Sequence, residues 1–234
     1  MCLVLQAELD TRRKTQWEQL RDLLCAYAAR QPVERVAVVG NAPLHPDAAR
    51  AATIDAADLV IRQNSFVLDE PGDEPTVGTA CHAVVLSRAT RFTRWTLRDH
   101  RDRLFLVPQA GFVEYHPGDE IGLLLHTEFW PRDLGVMPLP NAVVKARVVH
   151  ALDPGAPPGS IIPTAGTTAL FLAHEMFPGA ELVGTGFSFL DDEKQTSWAH
   201  HSGGHTKVNW RHRLDLEAAL LRSWMADGSL RFLS

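Results

Sequence analysis

Apolar and polar positions along this chain keep switching between a helical and a strand-like period. Trp17, Leu20, Leu24 and Tyr27 recur at helical spacing, which predicts an amphipathic helix over 15–30. Residues 35–39 are a short, mostly β-branched run, the pattern of a central parallel strand covered on both faces. The same reading predicts a helix at 47–57 and a strand at 58–62 that ends in Gln63-Asn64. A third strand is expected at 82–87, a helix at 91–100 and a strand at 104–107. Further on come an apolar helix at 167–177 and a strand at 180–183 that runs into Gly184, Thr185 and Gly186. A helix at 214–225, with Leu216, Leu220 and Trp224 along one stripe, and a strand at 230–233 complete the pattern. Turn residues mark loops at 69–78 and 153–160. Between 108 and 160 the periodicity is weak, and Trp130-Pro131 and the segment 137–140 read as breaks.

Alternating strands and helices imply an α/β fold, here a single Rossmann-like domain with a mainly parallel sheet flanked by helices. At 234 residues the chain can bury one sizeable core, and no internal repeat divides it. The net charge of -5, with no concentrated basic block, argues against nucleic acid as a partner. One local basic stretch holds Arg88, Arg91, Arg94, Arg98, Arg101 and Arg103. With Asp99 and Asp102 interleaved it reads as a solvated helix face; the sharper alternative is a surface for an anionic acceptor or for membrane headgroups. Cys2, Cys25 and Cys81 have neither metal nor disulfide spacing, which fits a reducing compartment, and Cys25 reads as a core residue. No run of about 18 apolar residues exists, and a cytoplasmic location is expected.

Candidate chemistry falls at the ends of the predicted strands, where α/β sheets bind their ligands. Gly40-Asn41 ends the first strand, and the amides that follow a glycine can face an anion; the competing reading is a tight turn. The full Gly-x-Gly-x-x-Gly pattern is absent, since Pro43, His45 and Pro46 fill the turn, which argues against a dinucleotide site. Asn64 is expected beside Asn41, as a neutral donor and acceptor or as a strand-ending turn residue. Thr164, Ala165 and Gly166 open the apolar helix, where free amides and the helix dipole favour an anion; the alternative is an ordinary cap by Thr164 or Thr167. His200, His201, His205 and His212 crowd one glycine-containing loop, suited to proton transfer near neutral pH, with a zinc site as the competitor. His174, in the apolar helix, reads as a satisfied core histidine.

Taken together, these segments resemble the animal-type sialyltransferase family of inverting glycosyltransferases, glycosyltransferase family 29. The family's L-motif is similar to 36–41, 58–64 and 77–82; its S-motif resembles 163–166 with the following helix, closing at 183–187. Motif III resembles 198–201, and the VS motif, a histidine and a glutamate with four residues between them, is met by His212 and Glu217. The resemblance implies a GT-A-type fold, no metal, and a CMP-activated sugar donor with a glycan or glycolipid acceptor. It implies that Gly40, Asn41, Asn64, Thr164, Ala165, Gly166 and Gly186 hold the nucleotide and that His201 or its neighbour His200 contacts the leaving phosphate. His212 would be the general base on the acceptor hydroxyl, and Glu217 an orienting or capping carboxylate.

The chain departs from the family in lacking the cysteine that links the L and S motifs and the Golgi membrane anchor, which suits a short, bacterial-type cytoplasmic member with, at most, peripheral contact with the inner membrane face. Ser202 stands where an aromatic residue follows the paired histidines, and Thr164-Ala165 replaces a serine-threonine pair. Such changes leave the donor open between sialic acid and another CMP-linked keto-sugar such as Kdo. Two other readings are carried: a nucleotide-binding Rossmann-like protein without transfer activity, and a metal-dependent hydrolase built on the His200–His212 loop.

Overall fold

A computed structural model describes residues 2–87, 93–108, 135–139 and 143–234. Helix α1 (Cys2–Tyr27) leads into β1 (Arg35–Val39), α2 (Ala48–Asp55), β2 (Leu59–Gln63) and β3 (Ala83–Val85). Next come the short α3 (Arg94–Leu97), β4 (Leu104–Val107), β5 (Val136–Pro138) and α4 (Lys145–Leu152). The last third contains α5 (Ala165–Met176), β6 (Glu181–Thr185), β7 (Ser197–Ala199), β8 (His205–Lys207), α6 (Leu214–Ala226) and β9 (Arg231–Phe232). Seven strands form one sheet in the order β5-β4-β3-β2-β1-β6-β9, every pairing parallel, while β7 and β8 form a separate antiparallel hairpin. The expected mainly parallel α/β sheet flanked by helices is therefore present.

Strand alternation sends successive side chains to opposite faces. Val36 and Val38 of β1, with Leu59 and Ile61 of β2, pack against Leu20 and Leu24 of α1 and against Leu170 and Leu172 of α5. Ala37, Val39 and Val60 face the other way, onto Ile54 of α2. Fully burying one such leucine or valine contributes about 1.5–3 kcal/mol, so both faces of the sheet are needed. Asp58 ties the start of β1 to β2: its carboxylate accepts the Glu34 and Arg35 amides at 3.0 and 2.8 Å and pairs with Arg30. Arg62 is fully buried in β2, where its guanidinium donates to the carbonyls of Ala80, Val67, Val77 and Gly78 and so fixes the 67–80 loop.

Several expectations change. Residues 136–138 are a strand, β5, despite Pro138; a proline is tolerated there because β5 is the edge of the sheet among the described residues. The expected 91–100 helix shrinks to the four residues of α3 among the described residues. The arginine stretch is a solvated face only in part: Arg94 and Arg98 are exposed and bond to Glu70, whereas Arg103 is buried with its guanidinium on the Trp95 carbonyl. Arg88, Arg91 and the Trp130-Pro131 break lie outside the described residues. His174 is partly exposed rather than core, stacked on Trp224 with ring centroids 4.3 Å apart. Among the described residues no helix is long and apolar enough to cross a membrane.

Candidate functional site

The strand order reverses direction between β1 and β6, since β1 leads outward to β2 and β6 lies on its other side. Crevices at such points, beyond the carboxyl ends of the strands, bind ligands in open parallel sheets. A cleft of about 510 Å³ lies there. Its walls include Asn41, Asn64, Thr164, Ala165, Gly166 and Gly186. His200 and His212 line it as well, so eight of the ten expected site residues meet in one cavity.

Gly40 and His201 do not line it, and the geometry says why. The Gly40 amide donates to the Thr185 carbonyl at 2.7 Å and the Ala42 amide to the Gly186 carbonyl at 3.1 Å. A Cβ on Gly40 would lie 2.0 Å from the Gly186 oxygen. Gly40 is thus required for the close approach of the β1 and β6 ends, and its amide is already taken. His201 is turned to the β1–α2 loop: its Nδ1 accepts the Leu44 amide at 3.3 Å, and its own amide donates to the Asn41 carbonyl at 2.7 Å. It braces the loop that carries Asn41, and His200 is the histidine of the pair on the cleft.

The two asparagines are positioned from below. The Asn41 side chain donates to the Gln63 carbonyl at 2.8 Å, which fixes it against the end of β2. Asn64 has a φ of 47°, a left-handed conformation that asparagine tolerates better than most residues, and its Oδ1 accepts the Ser87 amide at 2.7 Å.

Thr164 caps α5 by accepting the Thr167 amide at 3.1 Å, which leaves the Ala165 and Gly166 amides at the open first turn, on the cleft. A Cβ on Gly166 would fall 2.6 Å from the Phe187 ring, so the helix start is packed directly against the β6 exit. The Thr164 hydroxyl itself is committed elsewhere, donating to Glu217 at 2.6 Å. Thr167 also donates to Glu217, and so does the Thr164 amide at 3.2 Å. Glu217 is 0% exposed, and burial pushes its carboxyl up to about 7 against these stabilising bonds. It is a structural clamp between α6 and α5.

His212 lies just before α6. Its Nδ1 is 2.5 Å from the Ile162 carbonyl oxygen and can only donate to it, which leaves Nε2 as the basic nitrogen. Burial holds its pKa below the usual histidine value, and Arg211 adds to this. The Asn209 carbonyl accepts its amide at 2.9 Å, and Trp198 meets its ring edge-on at 6.4 Å. His200 Nε2 is 2.9 Å from the Thr206 hydroxyl across the hairpin, and burial lowers its pKa too. Among the described residues no three His, Cys, Asp or Glu side chains group as metal ligands would.

Sequence reasoning missed the β7–β8 hairpin and the cleft residues Lys207 and Arg211, and it placed Gln63 and Trp198 in motif-like segments without assigning them to the site. The doubled glycine at 203–204 was read as a loop, yet it is the turn of that hairpin. The one available signal was the concentration of basic and aromatic residues around the histidines.

The sequence matches no protein-family model and no curated protein. Its structure aligns with a crystal structure of a mammalian sialyltransferase with a TM-score of 0.54, covering 86% of this chain and 69% of that one at 16% identity. The chain has the fold of a sialyltransferase. A second crystal structure, of a mammalian sialyltransferase in complex with Gal-beta-1-3GalNAc-ortho-nitrophenol, aligns with the same score, coverage and identity. This sialyltransferase fold agrees with the family resemblance carried by the four motif-like segments; at such low identity the likeness bears on the fold alone.

Proposed function

We propose that the protein is an inverting glycosyltransferase of the sialyltransferase type, with a GT-A-like fold, that moves a sialic-acid-like sugar from a CMP-activated donor to a glycan hydroxyl. One observation carries the reading. A histidine with its Nδ1 pinned to a backbone carbonyl shares a cleft with an open helix N-terminus at the sheet's switch point. The first supplies a base, the second an anion cradle.

In this reading the donor phosphate sits at the Ala165 and Gly166 amides, flanked by Asn41, Asn64 and His200. The acceptor hydroxyl approaches His212, whose Nε2 takes its proton as the oxygen bonds to the anomeric carbon. The bond from that carbon to the phosphate oxygen breaks, and its electrons leave with CMP. The α5 N-terminus stabilises the charge that develops on the phosphate. Thr164 acts through its backbone and its cap, since its hydroxyl serves Glu217.

The first test is calorimetric titration with CMP, with UMP, GMP and NAD as controls, without added metal. Selective CMP binding is expected; no CMP binding, or a preference for NAD, would overturn the reading. His212→Asn should then lower turnover by about 10²–10⁴ while CMP affinity stays within about threefold. Unchanged turnover would remove His212 as the base. CMP binding with no turnover in the unsubstituted protein, over a screen of donors and acceptors, would favour a pure binding protein.

A further inference from the structure

The cleft has a charge pattern that the donor site does not explain. Among the described residues no aspartate or glutamate lines it, while Lys207 and Arg211 do. The helix start at Ala165 and Gly166 already supplies donors for one phosphate. Lys207 and Arg211 belong to the other wall, formed by the hairpin and by the 209–212 turn that presents the base.

Neither cation has a carboxylate partner among the described residues. The Arg211 Nε is buried and makes no hydrogen bond, so the protein leaves this guanidinium incompletely satisfied where it borders the cleft. A third cation, Lys145 at the start of α4, lies close enough to Arg211 for the two to repel, and its pKa is lowered by burial and by that neighbour. Like charges held together without counter-charges favour an anion between or beside them. Trp210 does not line the cleft itself, but it is 85% exposed with its ring 5.6 Å from the Arg211 guanidinium, so it offers a flat surface beside that cation on which a sugar ring can stack.

We infer that the lip formed by Lys207, Arg211 and Trp210 is a subsite for an acceptor glycan bearing an anionic group, a carboxylate or a phosphate, placed beside the hydroxyl that His212 deprotonates. The inference rests on the glycosyltransferase reading and narrows its acceptor class. A guanidinium binds either oxyanion bidentately, and Lys207 adds a point charge without geometric demand.

The test measures binding to the CMP-loaded protein, using lactose as the neutral probe, and sialyllactose and a lactose phosphate as the anionic ones. At least about tenfold tighter binding of one anionic probe is expected, with the ratio falling as salt is raised. The double variant Lys207→Gln, Arg211→Gln should bring the anionic and neutral probes to equal affinity and leave CMP affinity within about threefold. If that variant does not fold, the salt dependence in the unsubstituted protein decides alone. Equal binding of the probes, or no binding of either anionic probe to a protein that does bind CMP, overturns the inference while the donor reading stands. Loss of CMP affinity in a folded double variant also overturns it, because the cations would then serve the donor. Failure of the unsubstituted protein to bind CMP overturns the donor reading itself.

Discussion

Glu217→Gln tests whether the buried glutamate holds a proton in the folded state. In the structure the carboxyl is fully buried and accepts from the Thr164 amide and from the hydroxyls of Thr164 and Thr167. Burial opposes ionisation and outweighs those bonds, raising the pKa from 4.5 to about 7. A group whose pKa is raised on folding binds its proton more tightly in the native state. Its stabilisation is fully present below the unfolded value near 4.5 and is lost as pH rises through about 7. At about 1.4 kcal/mol per unit, the shift amounts to about 3 kcal/mol. Glutamine mimics the neutral acid and does not titrate, so the variant gains on the natural protein as pH rises, by about 2–3 kcal/mol between pH 5 and 8. Urea unfolding of both proteins at several pH values measures that difference, and the histidines cancel because both proteins contain them. A difference flat to within about 0.5 kcal/mol over this range would refute the reasoning. It would mean that three hydrogen bonds keep Glu217 ionised at 0% exposure.

Other outcomes follow from the same geometry. Gly40→Ala should destabilise by about 3 kcal/mol in urea unfolding and weaken CMP binding, because its Cβ would meet the Gly186 carbonyl at 2.0 Å and push the β1 and β6 ends apart. Asp58→Ala should cost about 3 kcal/mol at pH 7, since two amides and Arg30 lose their acceptor. Desolvation opposes ionisation of Asp58, but the bonds to the Glu34 and Arg35 amides and to Arg30 lower its pKa on folding, so the ionisation-linked part of this contribution is present above pH 3.8 and should be lost as pH falls through the folded value, in acid unfolding curves. For a substrate turned over through His212, the acid limb of kcat/KM should lie below pH 6.5, because burial favours the neutral ring; a limb above that value would contradict the described environment.

How much of this was legible in the sequence depended on whether a feature is local. β1, β2, α5 and β6 announced themselves through apolar runs, and Gly40 through its place at a strand end. What Gly40 does was not legible, because its neighbour Gly186 lies 146 positions further along the chain and only the sheet order brings the two together. β5 was read as a break because its proline hides that it sits at an edge. In α6 leucines occur on several faces, and the stripe through Leu216 and Leu220 is the half-buried flank. The buried face carries Leu214, Glu217, Ala218, Leu221 and Trp224, and periodicity gives no reason to place a carboxylate there. The histidine pair could not be told apart either: the backbone turn that follows β7, not composition, puts His200 on the cleft and turns His201 to Leu44.

The spacing between His212 and Glu217 has a structural meaning that neither residue has alone. The segment 162–164 is held at both ends by the stretch that contains them. The Ile162 carbonyl faces His212, its amide donates to the Arg211 carbonyl at 3.1 Å, and two residues on the Thr164 amide meets Glu217. Thr164 then caps α5, whose first turn is the proposed anion cradle. The proposed base and the proposed anion cradle are therefore fixed by one short run of backbone rather than by two independent loops. A displacement of either by 1 Å would forfeit on the order of 10² in rate for a reaction that needs both at once. The buried carboxylate that costs stability at neutral pH is also the group that joins the two halves of the proposed site.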